Sequence, residues 1–165
     1  MKKQWSLLLV LLFLGSSAMA ESSVSREDVL GNWFRSEFSD NEVFFEEVEY
    51  LDSGRKCTVS HSILASGEAE LSYYESAWQL VNDEIRLMVR KSSSIYVPPG
   101  QAITDRIDSL DSESLVNQMI EPVFGSKKEV YFRSPYKRAG EVCDWVDRLE
   151  EQHRKARSAV RGDAI

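Results

Sequence analysis

The sequence predicts an all-β fold, an eight-stranded antiparallel up-and-down β-barrel followed by a C-terminal amphipathic α-helix. Three observations lead there. Eight short stretches are rich in aromatic and β-branched residues, turn-forming residues separate them at close spacing, and the two-residue period gives way to a helical one past Pro135.

The chain has 165 residues, and its start reads as a leader. Met1-Lys2-Lys3-Gln4 is a short basic opening, Leu7 to Leu14 an uncharged apolar run, and Ala18-Met19-Ala20 places small residues before Glu21. This is the layout of a secretory signal peptide over residues 1–20. The run is too short to cross a bilayer of about 30 Å, and no second apolar run of about 20 residues follows. No Cys lies near the cleavage point to carry a lipid. The expected mature protein, residues 21–165, is therefore one soluble domain in the periplasm or outside the cell.

Composition fits that size, with 42% hydrophobic and 28% charged residues, enough for a core and too apolar for a disordered tail. The formal net charge is −7, and losing Lys2 and Lys3 takes it two units further negative. Such a surface repels phosphate backbones and anionic lipid, so no nucleic-acid partner and no membrane span are expected.

Export sets the reading of Cys57 and Cys143, because paired thiols in an oxidising compartment normally join. One disulfide is expected, with two separate buried thiols as the alternative; the Cα atoms must come within about 7 Å for the bridge to form. Two Cys and the distant His61 and His153 lack the close ligand spacing of a zinc site, so no metal is expected.

In order along the mature chain, Ser25-Arg26-Glu27-Asp28 pairs an N-cap Ser with an acid three residues on, the pattern of a short capped helical turn. Strands follow at Asn32 to Phe38, Val43 to Leu51, Arg55 to Leu64, Glu70 to Leu80, Glu84 to Lys91, Ile103 to Leu110, Ser114 to Ile120 and Lys128 to Arg133. The breaks are Ser39-Asp40-Asn41, Asp52-Ser53-Gly54, Ser66-Gly67, Asn82-Asp83, Ser92 to Gln101, Asp111-Ser112 and Gly125-Ser126. All but the fifth are short, which suits antiparallel neighbours and leaves no room for crossover helices. Closing eight such strands into a barrel removes every sheet edge, while a sandwich is the open alternative. Val142, Trp145, Val146 and Leu149 then follow the i, i+3, i+4, i+7 spacing of a helix over about 137–157, which packs on the outer barrel wall with Cys143 near Cys57. Arg154-Lys155-Ala156-Arg157 with Arg161 reads as a solvated helix end, with a frayed tail after Gly162.

Gly31-Asn32-Trp33 at the opening of the first strand, after the capped turn, resembles the Gly-x-Trp signature of lipocalins and related bacterial lipocalin-like domains. That resemblance implies a calycin-type barrel in which Gly31, Trp33 and Arg133 are closure residues, the Arg after the last strand lying across the first-strand Trp. The chain departs from the vertebrate pattern in two places. Ser39 to Glu42 is a tight turn where those proteins carry a long lid, and Thr104-Asp105, similar to the family's Thr-Asp motif, falls at the start of the sixth strand. The closer likeness is to compact exported bacterial domains.

An eight-stranded barrel is either filled by side chains or just wide enough for one small ligand. Alternation groups Ile85, Leu87 and Val89 on one face of strand five, and Cys57, Val59, His61 and Ile63 on one face of strand three. Phe44 and Phe45 must face opposite ways, as must Tyr73 and Tyr74. The expected function is non-covalent binding of a small hydrophobic or amphipathic molecule, with Val59, Ile63, Leu87, Val89 and Phe132 around its apolar body and His61 or Tyr73 at its polar end. No catalytic residue and no cofactor are expected. The adjacent acids Glu46-Glu47 and Asp83-Glu84 fall on opposite faces of a strand, and no nucleophile motif, phosphate loop or calcium loop is present. The alternative is an interaction protein, since small exported barrels also inhibit lysozymes or proteases. Such a protein would reach its partner through an exposed segment such as loop 92–101, where Ile95-Tyr96-Val97 stands out. Barrel-type protease inhibitors, however, keep both cysteines close together near the chain start, which Cys143 does not match.

Overall fold

A computed structural model describes residues 24–122, 127–135 and 137–162 of the chain. The expected leader, the turn at Gly125-Ser126 and the tail beyond Gly162 lie outside the described residues. A short helix α1 (Arg26–Val29) precedes eight strands: β1 (Gly31–Phe38), β2 (Glu42–Tyr50), β3 (Arg55–Leu64), β4 (Ala69–Val81), β5 (Glu84–Ser92), β6 (Ala102–Leu110), β7 (Ser114–Glu121) and β8 (Lys128–Arg133). The long helix α2 (Glu141–Gly162) follows. Each strand pairs antiparallel with the next, and β8 returns to β1, so the sheet closes in simple up-and-down order. The strands lie within one residue of their expected bounds. Helix α2 starts later and runs further than 137–157, because Gly140 takes a left-handed φ of 88° immediately before it.

Local chemistry explains the hairpins. At the β4–β5 turn, Val81 pairs with Glu84, and Asn82 and Asp83 both adopt left-handed φ values of 51° and 60°. That is the two-residue geometry Asn and Asp tolerate best after glycine. The Ser25 side chain accepts from the Asp28 backbone and Asp28 reaches back to Ser25, a complete capping box on α1.

The turns divide the barrel into two ends. At the end carrying the β2–β3, β4–β5 and β6–β7 turns, α1 plugs the bore. Val29, Trp33, Val48, Tyr50, Trp78, Ile85, Leu87 and Leu115 pack there as a buried floor. The Arg133 guanidinium carbon lies 4.1 Å over the Trp33 ring. It also donates to the carbonyls of Leu30 and Asp28, both at 2.8 Å, and of Ser112 at 3.0 Å. Trp33 Nε1 donates to the Val29 carbonyl at 2.8 Å. Gly31 is required here, since its φ is +113° and a Cβ would stand 3.1 Å from an Arg133 nitrogen.

A second core lies outside the barrel. Helix α2 lays Val142, Val146 and Leu149 on Cys57, Val59 and Tyr73 of β3 and β4. The Cys57–Cys143 disulfide fastens it, with a Cα–Cα distance of 5.1 Å. Glu49, wholly buried on β2, accepts from the backbone N–H of Cys143 at 3.0 Å and from that of Gly140, so its carboxylate caps the helix N-terminus.

Two stability tests follow. Trp33→Ala should cost about 3–5 kcal/mol, the range for removing a large buried aromatic, read as a lower denaturant midpoint at unchanged slope. Replacing both cysteines by Ser should cost about 4–5 kcal/mol on the loop-entropy account for this spacing, whereas an unchanged midpoint would mean that α2 is held by packing alone.

Candidate functional site

Toward the end carrying the β1–β2, β3–β4 and β5–β6 connections, the interior changes character and opens into a cavity of about 480 Å³. Alternation places Arg35 (β1), Phe44 and Glu46 (β2), Lys56, Ser60 and Ser62 (β3), Tyr74 (β4), Asp105 (β6), Met119 (β7), and Glu129 and Tyr131 (β8) around it. Tyr96 and Val97 from the long loop stand at its rim.

The polar side chains form one network on the β1–β2–β8 wall. Arg35 is ion-paired with Glu37 at 2.8 Å and with Glu46 and Glu129 at 3.0 Å each. Glu46 also accepts from the Tyr131 hydroxyl at 2.5 Å and the Ser60 hydroxyl at 2.9 Å. Burial pushes the Glu46 carboxyl up, but Arg35 with the Tyr131, Lys56 and Ser60 contacts outweighs it and holds the group below its ordinary value. Glu129 goes the other way. Burial and the neighbouring Glu46 charge raise it despite Arg35.

Across the cavity, the Lys56 Nζ donates to the Tyr74 hydroxyl at 3.1 Å and faces the Tyr50 and Tyr74 rings at 5.5 and 5.0 Å. Burial pulls this ammonium down, yet the surrounding tyrosines, Asp105 and Glu46 raise its pKa on balance, so it remains charged. Burial raises the Asp105 carboxyl, with Lys56 opposing and Glu46 adding to the shift. The site thus offers hydrogen-bond donors and acceptors beside the apolar faces of Phe44, Met119, Val97 and Ile103.

The sequence-expected ligand residues are placed elsewhere. Leu87 and Val89 do point inward, but into the packed interior core. Cys57, Val59, His61 and Ile63 share a face, as alternation requires, but it is the outer face. The expectation that Val59, His61, Ile63 and Tyr73 line the bore is corrected, because α2 covers that side and supplies the apolar partner. Val59 and Tyr73 are buried beneath α2, and the Tyr73 hydroxyl donates to Glu150 at 2.7 Å. His61 lies 5.2 Å from the Trp145 ring. Together with Phe34, Phe45, Ile63 and Leu71 it borders an outer groove of about 550 Å³. That groove lies on the outer wall, beside α2. Phe132, 50% exposed, also faces outward, with its ring 6.0 Å from Phe34. Phe44 and Tyr74 point in while Phe45 and Tyr73 point out.

Closure by a Trp on the first strand under an Arg at the end of the last matches what the Gly31-Asn32-Trp33 resemblance implied. The fold is a closed eight-stranded antiparallel barrel. No protein-family model and no curated protein matches the chain. Among solved structures, a lipocalin-like protein from Bacteroides uniformis is similar, at 15% sequence identity and a TM-score of 0.42, covering 65% of this chain and 99% of that one. No helix among the described residues is long and apolar enough to cross a membrane.

Opposite shifts in two cavity carboxyls give a pH test. Asp105 is raised above its ordinary value of 3.8, so the contribution of its protonated form is present below that pH and is lost as pH rises through the folded-state value. Glu46 is lowered from 4.5, so its contribution is present above that pH and is lost as pH falls through the folded-state value. Melting curves of Asp105→Asn against the parent should therefore show the variant gaining as pH rises from about 4 toward neutrality. Glu46→Gln should show its largest deficit near neutrality, shrinking in acid.

Proposed function

We propose that this protein is an exported carrier that binds a small amphipathic molecule non-covalently in the open half of its barrel. The observation that carries the reading is the divided interior, in which a packed apolar floor supports a cavity of about 480 Å³. That volume falls in the usual range of about 300–1,000 Å³ for small-molecule pockets, which also combine apolar walls with a few converging polar groups. Phe44, Met119 and Val97 provide the apolar surface, and Arg35, Lys56, Tyr74 and Asp105 the polar contacts. Export is supported by the leader-like residues 1–20 and by the disulfide, a bond that persists in oxidising compartments.

A second reading, contact with a protein partner through loop 92–101, draws on the exposure of Ile95 (83%) and Tyr96 (80%) in that loop. Native mass spectrometry of protein taken from its own compartment, before and after mild organic extraction, separates the two. The carrier reading predicts a co-purifying small molecule that extraction removes. Ser72→Trp, which fills the cavity from the β4 wall, should lower retention of that molecule at least tenfold while the fold melts normally. Bare protein in every preparation, together with loss of a captured partner on Ile95→Asp, would favour the second reading.

A further inference from the structure

Two cavity groups of opposite charge remain short of partners. Lys56 is 3% exposed and Asp105 5% exposed, and both border the cavity. The Lys56 ammonium has three protons to donate and one hydrogen bond, to the Tyr74 hydroxyl. Asp105 Oδ1 is buried with no hydrogen-bond partner. The two form no ion pair with each other among the described residues, and Arg35, the other cation lining the cavity, is already engaged by Glu37, Glu46 and Glu129. Buried polar groups are ordinarily satisfied, so two idle ones of complementary type beside one cavity call for an account.

We propose that Lys56 and Asp105 together read the polar end of the ligand as an acceptor–donor pair, the pattern of a carboxamide. Its carbonyl oxygen accepts from Lys56 Nζ and its N–H donates to Asp105. This rests on the cavity being the binding site. Three other head groups each satisfy one partner and fail the other. A carboxylate suits Lys56 but meets the Asp105 and Glu46 charges, and an alkylammonium suits Asp105 but meets Lys56. An ester accepts from Lys56 and leaves Asp105 unpaired, and sites built around a hydrogen bond discriminate strongly against ligands that lack it. Lys56 pairs with Tyr50 of the floor, whereas Phe44 pairs with Ser62 toward the β3–β4 connection and Val97 stands at the rim, so the ligand enters polar end first with its apolar tail along Phe44 and Val97.

The test is competition by octanamide, methyl octanoate, octanoate and octylamine against a fluorescent amphipathic reporter bound to the unmodified protein at neutral pH. Octanamide should compete at least tenfold better than each of the other three. Asp105→Asn removes the charge and supplies a donor, so octanoate should gain at least tenfold, an increase that a damaged fold would not produce. Equal competition by all four compounds, or preference for any of the other three, overturns the role of the pair and leaves the carrier reading standing. Failure of the reporter and of every compound to bind overturns the carrier reading, and this inference with it.

Discussion

The seam between β1 and β8 carries the least backbone pairing in the barrel, with Trp33–Arg133 and Phe34–Phe132 in register among the described residues, whereas β2 and β3 pair from Glu42 to Tyr50. Closure therefore depends on a side chain. Arg133 leaves the end of β8, lies on the Trp33 ring and satisfies carbonyls at the end of α1 and in the β6–β7 turn. One guanidinium thus joins the first helix, the first strand, the last strand and a neighbouring turn, and its planar fork is suited to doing so in a way an ammonium is not. Gly31 makes room for it. With this end sealed, the opposite end is left as the way into the bore.

A sealed floor also allows the upper interior to be polar. Burying Arg35, Glu46, Lys56 and Asp105 works against folding unless each charge finds partners, and replacing such networks by apolar residues is often neutral or stabilising. The barrel offsets this cost on its outer wall. There β3 and β4 present Cys57, Val59 and Tyr73 to Val142, Val146 and Leu149 of α2, a second apolar core further held by the disulfide and the Glu49 cap. Part of the apolar burial thus sits outside the bore.

That placement explains what could and could not be read from the sequence. Strand positions follow from turn residues such as Asn82-Asp83 and from short connections that exclude crossovers, and the capping box and helical spacing locate α1 and α2. The disulfide follows from two cysteines in a chain whose start reads as a leader. Alternation also grouped Cys57, Val59, His61 and Ile63 correctly on one face. It carries no information about which face is inside, and the usual assumption that the apolar face lines the bore fails when a helix covers the outer wall. Both faces of β3 are then buried over Lys56 to Val59, so hydrophobicity loses its directional meaning. The missed cavity residues share a signal in hindsight. Glu42, Phe44 and Glu46 alternate on β2 opposite Ser62 and Ser60 of β3, a polar stripe that would be ordinary on a solvated wall and is informative only once that wall is known to be interior.

The same inversion ties stability to the site. In a barrel filled with hydrocarbon, opening a cavity removes packing from the only core, and the penalty grows with the volume emptied. Here the α2 interface holds an apolar cluster none of whose members lines the cavity, so side chains in the open half can vary in charge and shape with less consequence for that part of the core. Arg35 is the exception. It joins β1 to Glu46 on β2 and Glu129 on β8 across the seam, and so it supports at the open end the closure that Arg133 provides at the other. A wall position such as Ser72 carries no such duty, which makes the open half of the barrel adaptable except where its charges also hold the barrel shut.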